Sequence, residues 1–91
     1  MVDVSAFVGR LSKNYKHYAK WAKRNGLEAW RVYDRDVPQF PLIIDLYGEH
    51  IHLQEYDTGW QIGDDEYAAW MAAVQQAICA VTGVAADAIS L

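Results

Sequence analysis

Apolar residues recur along this chain with two different periods, and the change from one to the other divides it. Between Ser5 and Asn25, Phe7, Leu11, Tyr15, Tyr18 and Ala22 are spaced by 4, 4, 3 and 4 residues, the period of one helix face. The spacing predicts an amphipathic helix over 5–25. Ser5 is placed to cap it, and Asn25-Gly26 to stop it, with Gly26 in the left-handed position after the last turn. At residue 29 the period falls to two. Residues 29–34 read as a strand, with Trp30 and Val32 on one face and Arg31 and Tyr33 on the other. Residues 35–41 form a connection, because Pro38 and Pro41 lack ladder donors and disfavour helix in the residue before each.

Leu42–Tyr47 and Ile51–Tyr56 are expected to pair as a β-hairpin around Gly48-Glu49, since glycine in the first central position suits a type II′ turn. A two-residue loop fixes the register. Tyr47 is then opposite His50, Leu46 opposite Ile51, Asp45 opposite His52, Ile44 opposite Leu53 and Ile43 opposite Gln54. Leu42, Ile44, Leu46, Ile51 and Leu53 share the core face, and the other face is mixed. After a loop (57–63) carrying Trp60, Asp64-Asp65-Glu66 opens a second helix at the end where the macrodipole favours acids, and Gly83 closes it near Thr82. This helix is apolar nearly all round, a pattern that expects burial on more than one side. Residues 88–91 look like the start of a further strand. The fold class is α+β: a small sheet of three or four strands with a central hairpin and two packed helices.

With 91 residues and 10.3 kDa, the chain has room for a single small domain spanning 1–91. A hydrophobic content of 53 %, with four Trp, six Tyr and two Phe, rules out intrinsic disorder. There is neither an apolar run long enough to span a bilayer nor a leader pattern, and the lone Cys79 excludes an intrachain disulfide, so a reduced, cytoplasmic setting is expected. The net charge of −4 conceals a strong asymmetry. Residues 1–35 hold all eight Lys and Arg against Asp3, Glu28 and Asp34, while residues 36–91 hold nine acids and no Lys or Arg.

Most of that basic charge lies on one helix. Lys13, Lys16, Lys20, Lys23 and Arg24 fall opposite the apolar stripe, with Arg10 and His17 on its flank, and no acid occurs between Val4 and Leu27. Exposed helices ordinarily mix signs and gain i,i+4 pairs; this one has no acid to pair with. A lysine stripe along a helix can follow a phosphate backbone. Candidate RNA contacts are therefore Arg10, Lys13, Lys16, Lys20, Lys23 and Arg24, together with Arg35 in the connection. Tyr15, Tyr18 and Trp21 interleave with the lysines, and bases stack on such rings where they are exposed. Tyr15 and Tyr18 lie on the apolar stripe and are expected in the core, as is Trp21, although it sits off centre. Asp34 and Asp36 suit Asx-turn roles. Asp45 and His52 suit a cross-strand polar pair. His17, His50, His52 and Cys79 make no metal site by their spacing.

Asn14, Trp21-Ala22-Lys23-Arg24, Gly26, Tyr33-Asp34-x-Asp36-x-Pro38, Asp45-x-Tyr47-Gly48 and Gln54-Glu55-Tyr56 resemble, in order along essentially the whole chain, a particular region of bacterial 23S ribosomal RNA guanine methyltransferases. That region precedes the catalytic domain in the K half of the fused large-subunit methyltransferase K/L family. The resemblance implies a parent enzyme that uses S-adenosylmethionine to methylate guanine at N7, with 23S rRNA as partner. It also implies a small accessory domain followed by a Rossmann-like catalytic domain that this chain lacks, so the chain is expected to be a fragment. Its glycines are isolated, with no glycine-rich strand–turn–helix fingerprint, and the Asn-Pro-Pro or Asp-Pro-Pro loop of related methyltransferases is missing. No catalytic, cofactor-binding or metal residue is expected here. The apolar second helix is expected to be partly core and partly the docking face for the absent catalytic domain, a second partner. The rival readings are a protein-interaction module whose functional surface is the apolar second helix, and a stand-alone nucleic-acid-binding domain.

Overall fold

Two helices, each stopped by a left-handed glycine, pack on a four-stranded sheet. The chain order is α1 (Ser5–Arg24), β1 (Ala29–Asp34), β2 (Leu42–Tyr47), β3 (His50–Glu55), α2 (Asp64–Thr82), a 3-10 turn (Ala86–Ala88) and β4 (Ile89–Ser90). The computed structural model describes residues 3–56 and 63–91, so the expected loop around Trp60 lies outside the described residues. Sheet order follows chain order, β1-β2-β3-β4. The first three strands are antiparallel and β4 joins β3 in parallel, a pairing that needs a crossover, which α2 supplies. This is the expected α+β arrangement, and the nascent last strand is β4.

The end of α1 is a Schellman motif. Gly26 takes φ 65°, its N–H donates to the Lys23 carbonyl, and the Leu27 N–H reaches back to the Ala22 carbonyl at 2.9 Å. The start differs from expectation. Val4 holds the cap position and Ser5 is already helical. The Asp3 carboxylate accepts the Ser5 N–H at 3.0 Å, a contact that lowers the Asp3 pKa. A charged acceptor at the positive end of the dipole takes the role that the serine hydroxyl was expected to fill. The hairpin keeps all five expected cross-strand pairs. Gly48 has φ 61° while Glu49 keeps a negative φ, the type II′ pattern.

Strict alternation fails in β1. Arg31 pairs with Asp45 but Tyr33 pairs with Ile44, so Val32 is an extra, bulged residue. The bulge turns Tyr33 onto the core face, opposite to the side that simple alternation gives it, and both Val32 and Tyr33 are buried. Tyr33 meets Phe7 edge-on with centroids 5.1 Å apart, Phe7 stacks on Phe40 at 4.9 Å, and Phe40 stacks on Trp70 at 5.8 Å. This row of rings ties β1, α1, the 35–41 connection and α2 into one core with Leu11, Leu42, Ile44, Leu46, Ile51, Leu53, Val74 and Ile78. Both helices cover the same sheet face.

α2 is buried on one side only, through Trp70, Met71, Val74, Ala77 and Ile78. Its outward apolar positions are mostly small (Ala68, Ala69, Ala72, Ala80). Alanine is favoured in a helix without burial, so the all-round apolar pattern does not require the two-sided cover the sequence suggested. Among the described residues, no helix is long and apolar enough to cross a membrane.

Candidate nucleic-acid interface

α1 carries its cations outward because its core stripe is fixed by Phe7, Leu11 and Ala22. Arg10, Lys13, Lys16, Lys20, Lys23 and Arg24 are all exposed. The ion pairs among the described residues are Arg31–Asp34, Arg31–Asp45 and Arg35–Asp34, none of which involves α1. Among the described residues, the acidic remainder therefore forms no ion pair with this helix. Lys13, Lys16, His17, Lys20, Trp21 and Arg24 line an open concavity of about 450 Å³.

Arg35 stands apart from the other six candidates. It lies in the connection after β1 in a left-handed conformation, φ 56°. Its Nε donates to Asp34 Oδ1 at 2.8 Å and its guanidinium sits 4.3 Å from the Tyr56 ring centroid. The Asp34 hydrogen bond and charge raise its pKa further. Asp36 accepts the Asp34 N–H at 2.9 Å, a local turn role in the reverse sense of an Asx-turn, and its other oxygen accepts from Asn14 Nδ2 at 2.9 Å. That second bond ties α1 to the connection.

The aromatics correct the sequence reading. Tyr15 is half-buried as expected, stacked 6.0 Å from Trp30 with its hydroxyl donating to the Thr82 carbonyl at 3.4 Å. Tyr18 and Trp21 are not in the core: they are 40 % and 47 % exposed. Tyr18 and Trp21 face β1, the edge strand, across an open groove, and the sheet has no strand beyond β1 among the described residues. Between that flank and β1 runs a second groove of about 410 Å³, lined by Tyr18, Trp21, Leu27, Trp30 and Asn14, with Asp34 and Asp36 at one end. Trp21 borders both concavities. Face periodicity alone gives no depth of cover, so nothing in the sequence signalled this groove.

The sequence reading also missed Arg31. Its Nε and Nη2 donate to Asp45 at 2.8 and 3.3 Å, a bidentate clasp across β1 and β2 on the uncovered sheet face. Asp45 is nearly buried under it, and the Asp45 hydrogen bond raises the Arg31 pKa. The expected Asp45–His52 polar pair keeps its register, but the carboxylate turns to the guanidinium, which offers two parallel donors. Among the described residues, no three His, Cys, Asp or Glu side chains gather closely enough to hold a metal ion.

No protein-family model matches the chain. It is 59 % identical over all 91 residues to the ribosomal RNA large subunit methyltransferase K of Neisseria meningitidis, of which it covers 26 %. It is 38 % identical over 85 residues to the methyltransferase K/L of Ectopseudomonas mendocina, covering 12 % of that protein, and 43 % identical over 76 residues to the K/L protein of Pseudomonas fluorescens Pf-5, covering 10 %. The chain thus spans about a quarter of the K relative and about a tenth of the fused ones. Identity of this level along the whole chain is the resemblance its motifs carry: the chain is related, from end to end, to one segment of the large-subunit ribosomal RNA methyltransferases K and K/L.

Proposed function

We propose that residues 1–91 form a single accessory domain that binds and positions 23S ribosomal RNA for an S-adenosylmethionine-dependent guanine-N7 methyltransferase whose catalytic domain lies outside this chain, in the cytoplasm. The observation that carries this reading is the row of six exposed cations on α1 with no carboxylate partner among the described residues. From Arg10 to Arg24 the helix rises about 21 Å, room for several phosphates of one strand. Phosphate contacts fix orientation and do not choose a base. Methyl transfer demands that the guanine nitrogen meet the sulfonium methyl in line, and a domain that clamps the flanking RNA contributes to that alignment without touching the methyl group.

S-adenosylmethionine does not fit the residues described. Both α1 concavities are open surface grooves. The parallel pair β3–β4 spans only two ladder positions, and its crossover helix opens on three exposed acids, with no glycine turn among the described residues enclosing a cavity. No step of the transfer is assigned to this chain. The rival reading, α2 as a protein-docking surface, is weakened by its largely alanine outer face.

The test is RNA titration across a salt series. Each phosphate contact adds about 0.7 to the slope of log affinity against log salt for single strands, so Lys13, Lys16, Lys20 and Lys23 changed together to Gln should lower the slope by about 3. An unchanged slope in that variant overturns the proposal.

A further inference from the structure

We infer that the groove between α1 and β1 is a nucleobase-stacking site, with Trp21 and Tyr18 as its platform and an unpaired RNA base as its occupant; this rests on the RNA-binding reading above and names its substrate class as single-stranded. Trp21 stands between the two concavities of this surface. On one side lie Lys13, Lys20 and Arg24; on the other lie Tyr18, Leu27 and Trp30. A phosphate held by the cations leaves its own base within reach of the indole. Tyr18 and Trp21 contact edge-to-face, with centroids 6.4 Å apart and planes at 79°, so the two half-exposed rings form the corner of a slot.

Charge favours this occupant over others. The groove's lining combines the aromatic and apolar group Tyr18, Trp21, Leu27 and Trp30, which adjoins the unpaired lysines, with Arg31, Asp34 and Asp36; a base on the aromatic part with its phosphate on the lysine side suits both surfaces, and single-stranded nucleic acid combines the two. A second copy of this chain would bring its own lysine ridge against the first, because the same helix carries both features. A duplex offers phosphates but keeps its bases stacked inside, leaving the aromatic groove unused. Asn14 and Asp36, joined by a 2.9 Å hydrogen bond, line the same groove.

The experiment uses the 91-residue chain with three probes: a fluorescein-labelled eight-nucleotide oligouridylate, an abasic ribose-phosphate oligomer of the same length and charge, and the chain alone in sedimentation. Trp21 is half-buried and touches Tyr18, so Trp21→Ala should lower the melting temperature by several degrees, and binding is measured well below the melting range of each variant, with Trp21→Phe as the packing control. The oligouridylate should bind about tenfold tighter than the abasic strand. Trp21→Ala should erase that difference while preserving the salt slope, and Trp21→Phe should restore most of it. The inference is overturned if Trp21→Ala leaves oligouridylate affinity within twofold, or weakens both strands equally. It is also overturned if the chain self-associates through a contact that Trp21→Ala abolishes, since the groove then belongs to a second copy. Salt-dependent binding that ignores Trp21 sinks only the stacking site. Absence of salt-dependent binding to any RNA sinks the RNA reading with it.

Discussion

Tyr33→Phe tests the packing that holds the interface in shape. The β1 bulge drives Tyr33 into the core, where its hydroxyl donates to the Phe40 carbonyl at 2.8 Å and accepts the Val37 N–H at 3.1 Å. One oxygen thus closes both ends of the proline-containing connection, whose Asp36 in turn reaches α1 through Asn14. Phenylalanine keeps the ring and its contact with Phe7 but removes both bonds, leaving the Val37 N–H unpaired and the Phe40 carbonyl with the Leu42 N–H alone. At about 1 kcal/mol net for each lost bond, the cost is about 2 kcal/mol. For a domain of this size that corresponds to a fall of about 8–16 °C in melting temperature. Urea and thermal melts followed by near-ultraviolet circular dichroism measure it, with the urea m-value expected to be constant.

Alkaline pH gives the same substitution a second signature. Burial holds the Tyr33 pKa above its ordinary value of 10.0. The folded protein therefore binds this proton more tightly than the unfolded chain. The stability involved is intact below pH 10 and is lost as pH climbs through and beyond that value. Tyr33→Phe should lose less of its remaining stability above pH 10 than the parent does. A loss below about 0.5 kcal/mol at neutral pH, or an alkaline limb identical in the two proteins, refutes the reasoning.

Two further perturbations probe backbone conformation. Arg35→Gly should melt about 4–8 °C above Arg35→Ala, because both lose the Asp34 and Tyr56 contacts but only glycine relieves the left-handed backbone; equal melting temperatures contradict a strained position. Gly26→Ala should cost about 1 kcal/mol through the Schellman glycine and fray the end of α1. Hydrogen exchange at the Leu27 amide reports the fraying, and protection equal to the parent's contradicts it.

Much of this architecture was legible because each element has a local cause. Gly26, Gly48 and Gly83 sit where the chain needs positive φ, and they delimit α1, the hairpin and α2. The hairpin register followed from loop length alone. The misreadings share a different cause. Val32 bulges because of how β1 meets β2, and Asp45 turns from His52 to Arg31 because a third strand lies beside it. Tyr18 and Trp21 lie in or beside the apolar period of α1, but period cannot report whether a sheet extends far enough to cover them. Of the candidate contacts, the six on α1 were readable from charge and phase. Arg35's engagement with Asp34 and Tyr56 depended on a strand end being brought beside its own turn.

The distribution of charge gives these observations one physical sense. On the RNA-binding reading proposed above, a chain of net charge −4 approaching a polyanion meets an overall repulsion, screened beyond about 8–10 Å at physiological salt. Within that distance only the local surface matters, and α1 presents six cations there that form no ion pair among the described residues. The other two arginines each pair with a carboxylate of the domain, Arg31 with Asp45 and Arg35 with Asp34. Segregating the charges this way makes binding depend on orientation, since the Lys and Arg side chains that form no ion pair among the described residues all lie on α1. A domain that only had to adhere to RNA would gain from basic residues on all sides. Confining them to one helix, at the lip of a groove with two half-exposed rings, suits a domain that has to set the direction in which the strand runs.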